Sequence, residues 1–184
     1  MPRRKIKPQW ETSASEASKR VGDVVLAVRN GPADVSSSSD KRFQWRVNAT
    51  LHRSFAYRLT AARIEVMPYW SIGMSERFRE QGVAKKAAHR FAQTLASFWP
   101  RPWLKCPGWY QKSNGDDNVL LLIIEPLGSA AIGSIRTKVY IRSGADGRAV
   151  AFGDGELSME TSMEAIDMLC KVLKKRLRRL RQSD

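Results

Sequence analysis

Between Phe43 and Leu51 the apolar side chains Phe43, Trp45, Val47, Ala49 and Leu51 alternate with Gln44, Arg46, Asn48 and Thr50. A period of two puts one face of a strand against a core and the other in water. The alternation resumes with Phe55, Tyr57, Leu59 and Ala61 against Arg58 and Thr60. It predicts an antiparallel partner that turns near His52–Ser54 and runs to about Met67. Val21–Arg29 predicts a short strand, and NGPADVSSSSD over 30–40 is a loop by composition. The unbroken apolar run NVLLLIIE at 118–125 predicts a strand covered on both faces. From Ser134 to Arg142, Ile135, Thr137, Val139 and Ile141 point one way, and Arg136, Lys138, Tyr140 and Arg142 the other. Asp146–Gly147 is a hairpin turn signal. Arg148–Phe152 is the expected return strand, closed by Gly153 and Gly155.

Two stretches change to helical spacing. Ser75 is a cap signal with Glu76 in the first turn, and the helix is expected to run to about Phe98. Ala84, Ala88, Phe91, Leu95 and Phe98 form its apolar stripe; Lys85, Lys86, His89, Arg90 and Gln93 take the other side. Ser158 is placed to cap a second helix. There Met163, Ile166, Cys170, Leu173, Leu177 and Leu180 make a heptad-like seam that either packs on the sheet or pairs with a second copy. Between the helices lies FWPRPWLKCPGWYQK, residues 98–112. Its prolines exclude a helix and argue against a central strand. It reads as a loop of rings and cations, a structural plug first and a stacking surface second. No exact repeat is found, only a loose echo of hairpin then helix at 43–98 and 134–180.

The expected fold is therefore α+β: a mostly antiparallel sheet with two long helices packed on one face. Residues 1–20 are expected as a basic flexible amino-terminal arm, and 21–184 as a single domain ending in a basic amphipathic helix.

Charge narrows the partners. The 184 residues carry 32 Lys and Arg against 18 Asp and Glu, a formal net charge of +14. Self-repulsion of that size calls for a polyanion. No apolar run reaches the roughly 18 residues of a membrane span. The start MPRRKIKPQW has no apolar stretch behind its charges, so an intracellular protein, cytoplasmic or nuclear, is expected. Cys106, Cys170, His52 and His89 are not in ligand spacing, so free thiols, no metal and no cofactor are expected.

Three basic surfaces and one ring-rich loop are the candidate sites. The strand face Arg136, Lys138, Tyr140 and Arg142 is a cationic platform with one ring. Lys85, Lys86 and Arg90 form a helix face, preceded by Arg77 and Arg79. Lys174, Lys175, Arg178 and Arg179 crowd the end of the last helix. Trp103, Trp109 and Lys105 come from the loop. The segment GVAKKAAHRFAQTLA, 82–96, resembles the last helix of double-stranded RNA-binding domains, which implies lysines gripping phosphates across a groove. Those domains open with a helix that has no counterpart here. The order of elements is similar to that of tombusvirus silencing suppressors, a likeness of layout that implies a dimer on duplex RNA. No catalytic residue is assigned. Asp116, Asp117, Glu125, Asp154 and Glu156 are the carboxylates a metal-dependent nuclease would draw on, but their spacing shows no motif. The expectation is a non-enzymatic nucleic-acid-binding protein, RNA favoured, such as a silencing suppressor or a ribonucleoprotein or coat component. The alternatives are that nuclease and a protein-interaction module for an acidic partner. A homodimer through the Met163–Leu180 seam is a further partner expectation.

Overall fold

A computed structural model describes residues 9–30, 45–52, 55–59, 62–66, 70–115, 118–126, 135–143, 149–155 and 159–181. Along these run the strands β1 Glu11–Thr12, β2 Glu16–Val21, β3 Val24–Asn30, β4 Trp45–Leu51, β5 Phe55–Leu59, β6 Ala62–Val66 and β7 Trp70–Met74, then helix α1 Gln81–Ser97. They are followed by β8 Leu104–Cys106, β9 Trp109–Ser113, β10 Asn118–Pro126, β11 Ile135–Ser143 and β12 Ala149–Gly155, then helix α2 Met159–Arg181. Among the described residues ten strands form one antiparallel sheet in the order β1-β2-β3-β4-β7-β12-β11-β10-β9-β8, and β5 and β6 pair with each other in a second, two-stranded sheet.

Both helices lie on one face of the large sheet and touch each other. The core sits beneath them. Across the strands it runs through Leu26, Ala49 and Ile72 on one side and Leu122, Val139, Leu120 and Ile141 on the other. Every residue of the predicted α1 stripe is buried, and Ala87, Ala92 and Ala96 join it. These small side chains let the helix lie close to β3 and β4. On α2, Ile166, Cys170 and Leu173 are buried in the same core, with Met163 and Leu177 packed against it. These five seam residues thus pack within the chain, on the core. Leu180 has no described side chain.

The sheet order reads the same from both edges inward. Each half is a run of antiparallel strands followed by a helix, and the last strands of the halves, β7 and β12, pair at the centre. The β5–β6 hairpin is an insertion in the first half. The sequences carry the same trace. Trp10 and Trp103 are each followed nine residues later by a lysine, Lys19 and Lys112, and three residues beyond that by Gly22–Asp23 and Gly115–Asp116. Gly22 and Gly115 both take positive φ, +69° and +86°, as tight strand connections require. Buried positions in α1 (Ala84, Ala87, Ala88, Phe91, Ala92, Leu95) and in α2 (Ser162, Ala165, Ile166, Leu169, Cys170, Leu173) have the same spacing. The echo read from the sequence is therefore a duplication that begins earlier than 43 and 134.

Several expectations are corrected. β4 pairs with β3 and β7, not with the strand after it. Within the expected arm, Glu11 and Thr12 form β1 and residues 16–20 belong to β2, while 1–8 lie outside the described residues. Ser75 caps nothing: its N–H donates to Val150 O, and Phe78 exchanges backbone hydrogen bonds with Trp45, so the chain stays extended until Glu80. The Trp–Pro segment contains a hairpin, β8–β9, at the sheet edge, where prolines outside the ladder are tolerated. β10 is buried on one face only: Leu120 and Leu122 are covered, whereas Val119, Leu121 and Ile123 are half-buried. Gly153 lies within β12, and Gly155 is its last residue. Segments 30–40 and 144–148, apart from Asn30 in β3, lie outside the described residues, as does Ser158.

The duplicated turn glycines should respond unequally to a methyl group. Positive φ costs about 1–2 kcal/mol for a residue with a Cβ. At Gly22 that Cβ would also lie 3.0 Å from Val172 Cγ1 on α2, but at Gly115 it would meet only the end of the Arg101 side chain. Thermal unfolding should show Gly22→Ala less stable than Gly115→Ala.

Candidate nucleic-acid interface

Side chains that alternate with the core project from the sheet face away from the helices. Register fixes the rows. In the first half Glu16, Arg29 and Arg46 sit abreast on β2, β3 and β4; Ser18, Ala27 and Asn48 form the next row, then Arg20, Val25 and Thr50. Two arginines side by side repel. Glu16 offsets this by accepting from Arg29 Nε at 3.0 Å. Thr50 Oγ1 donates to Ser71 Oγ at 3.2 Å, and Gly73 leaves room beside Asn48, whose Oδ1 would be 2.5 Å from an added Cβ.

In the second half Lys138, Ile123 and Trp109 sit abreast on β11, β10 and β9, followed by Tyr140, Leu121 and Gln111, then Arg142, Val119 and Ser113. Trp109 is 41 % exposed and Leu104, on edge strand β8, is 53 % exposed. Lys138, Tyr140 and Arg142 thus face away from the core, as the alternation predicts. The Arg136 side chain lies outside the described residues.

The other predicted cations lie on the opposite side. Lys85, Lys86 and Arg90 are on α1 and Lys174 and Lys175 on α2, both on the helix side of the sheet. Lys85 Nζ is engaged, donating to Thr12 Oγ1 at 2.9 Å and lying 5.7 Å from the Trp10 ring centre. Lys174 lines an open groove of about 410 Å³ with Ser97, Trp99, Pro100, Arg101, Pro102 and Asn114. Lys105 is exposed on β8. The side chains of Arg178 and Arg179 lie outside the described residues. The predicted site residues whose side chains are described therefore divide between two surfaces and do not converge.

The tryptophans divide too. Trp103 is a plug: its Nε1–H donates to Asp167 Oδ1 on α2 at 3.0 Å, and it packs on the core. Beside it lies Lys112, fully buried, whose Nζ pairs with the same carboxylate oxygen. That ammonium is 4.9 Å from the Trp103 ring centre and 6.0 Å from that of Trp99, while Lys171 lies 5.3 Å from the Trp99 ring centre. Lys112 and Trp109 point to opposite faces of β9, so the anchored lysine fixes the outward tryptophan. This chain of dependence escapes a reading along the sequence because Asp167 is 55 residues from Lys112.

No family model, no curated protein and no solved structure matches this chain. The duplication supplies an internal comparison instead. The first-half counterparts of Trp103, Lys112 and Asp167 are Trp10, Lys19 and His89. Trp10 and His89 meet edge to face at 5.9 Å. Here a base replaces the carboxylate. Burial lowers the Lys19 pKa, and burial followed by the Lys19 charge lowers that of His89. Burial holds the Cys170 thiol up at about 12, with Lys112 and Asp167 acting in opposite senses. Cys106 and Cys170 are both free. The repeated Trp, Lys and Gly–Asp spacing was the available signal for these clusters. Among the described residues no three His, Cys, Asp or Glu side chains group to hold a metal. Asp116, Asp117 and Glu156 lie outside them. No helix among the described residues is long and apolar enough to cross a membrane.

Two outcomes follow from these clusters. Asp167→Asn removes the carboxylate that pairs with the fully buried Lys112 ammonium and should cost about 3 kcal/mol in denaturant unfolding. Adding Lys112→Met should return much of it. A double variant no more stable than the single would show that the pair is not what holds the plug. For His89, the folded state favours the neutral ring, so the unfolded chain takes up the proton first, near its ordinary pKa of about 6.5. Stability should therefore fall as pH drops below that value. His89→Gln should flatten the dependence between about pH 7 and pH 5; an unaltered slope would assign it to other groups.

Proposed function

We propose that this protein binds nucleic acid, RNA by preference, on the helix-free face of its ten-stranded sheet, and does so without catalysing a reaction on it. The supporting observation is the distribution of cations on that face. Arg20, Arg29 and Arg46 project from three neighbouring strands of one half, and Lys138 and Arg142 from the other. With strands about 4.8 Å apart, the outermost of these lie some five spacings from one another, enough to follow a phosphate backbone. A formal charge of +14 gives the long-range attraction. Flat backbone contacts of this type carry affinity without sequence choice. The lysines and arginines on the helices belong to a second surface and are not required by this reading. It also places the protein inside the cell, where RNA is available to it.

Fluorescence anisotropy with labelled RNA between about 50 and 200 mM salt tests the proposal. Six or more phosphate contacts lower affinity by about 10³-fold or more over that range. Arg46→Ala and Arg142→Ala should each weaken binding and reduce the salt slope by about one. Lys86→Ala and Arg90→Ala, on the far side of the sheet, should change neither. Equal losses from both pairs, or a shallow salt dependence, would overturn the assignment of the face.

A further inference from the structure

The two halves have remained alike beneath the helices and diverged on the opposite face. Under the helices the equivalent positions are Leu26 and Leu120, Val28 and Leu122, Val47 and Val139, all buried. On the outward face Glu16 is replaced by Trp109, Arg29 by Ile123, Asn48 by Tyr140 and Ala27 by Leu121. These four substitutions make the second half more apolar or more aromatic, while Lys138 stands for Arg46 and Arg142 for Thr50, so cations remain beside the rings. Core packing does not call for it, because these side chains point away from the core. Trp109 is exposed and Leu121, Ile123 and Tyr140 are half-buried, and an apolar, ring-bearing patch partly in water marks a contact surface.

We infer that the second half is a platform for unpaired bases, so that the ligand is a single-stranded nucleic acid rather than a duplex. The inference rests on the proposed function and names its substrate class. Trp109 and Tyr140 are two strand spacings of about 4.8 Å apart and one row out of line, so each ring meets a different base. Lys138 and Arg142 flank Tyr140 on β11, and Lys138 is in the same row as Trp109, so both cations reach the phosphates of the same strand. The more polar first half then holds backbone leading to or from the platform. A duplex hides the faces of its bases within the stack and offers this patch only phosphate and sugar. A single strand exposes them, and stacking on aromatic side chains is tolerant of sequence.

The test uses the full chain and three probes with equal numbers of phosphates: a single-stranded RNA, a duplex RNA and an abasic strand. The single strand should bind at least tenfold more tightly than either of the others and should quench tryptophan fluorescence. Trp109→Ala should weaken single-strand binding by about 5- to 150-fold, the equivalent of about 1–3 kcal/mol for one lost stacking contact. It should leave the other two probes unchanged, and Trp109→Phe should restore most of the loss. An unaltered melting temperature for the variants confirms that the fold is intact. Duplex binding equal to single-strand binding, or a Trp109→Ala variant that binds all three probes as the parent does, overturns the platform while leaving the proposed function standing. Failure of all three probes overturns both.

Discussion

Four residue pairs join this molecule. Ser71 to Met74 on β7 lie opposite Asp154 to Ala151 on β12, and this short ladder fuses two half-sheets into one. Without it each half would present an unpaired strand edge and half a core. Ile72 and Ala151, both within the join, are fully buried, so the apolar layer is continuous across it. Contact between α1 and α2 closes the same join from above. Gly73 stands in the middle of the ladder, where the Asn48 amide occupies the space a side chain would need. A surface ten strands wide exists only because this ladder holds.

The proposed interface depends on the core side as well. A strand has two faces, and fixing one fixes the other. Lys112, buried against Asp167 and two tryptophan rings, is an expensive side chain to take from water. Replacing such a pair with apolar groups is often neutral or stabilising, so it is weak evidence for stability. What it supplies is register: β9 cannot slip by one residue without exposing the lysine and burying Trp109. In the first half His89 stands where the acid would be, and the Lys19 charge lowers its pKa behind the larger effect of burial. One copy of the cluster is therefore an ion pair and the other a like-charge neighbourhood at low pH.

Parts of this were legible in the residues alone. The period of two in Trp45–Leu51 and Lys138–Arg142, and the helical stripes of α1 and α2, separate the core side chains from the outward ones, except that Thr50 is buried. Lys138, Tyr140 and Arg142 were placed on their face from alternation alone. The neighbours of each strand were not legible. Alternation reports burial and is silent on partners, so it points β4 to the strand next in sequence, whereas β4 pairs with β3 and β7. Local signals also lost to distant ones. Ser75 has the chemistry of a cap, but the hydrogen bonds to Val150 and Trp45 hold that segment extended. Prolines correctly excluded a helix from 98–112, yet edge pairing still made a hairpin there.

The sequence by itself determined the class of fold, the sign and size of the charge, and the inward and outward sides of the main elements. These depend on composition and on periods shorter than a dozen residues. It also held the spaced Trp, Lys and Gly–Asp of the duplication, which gain meaning only once the strands are laid side by side. Tertiary structure alone decided that the basic surfaces lie on two sides, that Trp103 is a plug and Trp109 is not, and that the second half's outward face carries the rings. Those outcomes turn on pairings between residues many tens of positions apart, such as Lys112 with Asp167 and β7 with β12. Closing such long loops is decided by the packing of the whole chain rather than by any local preference.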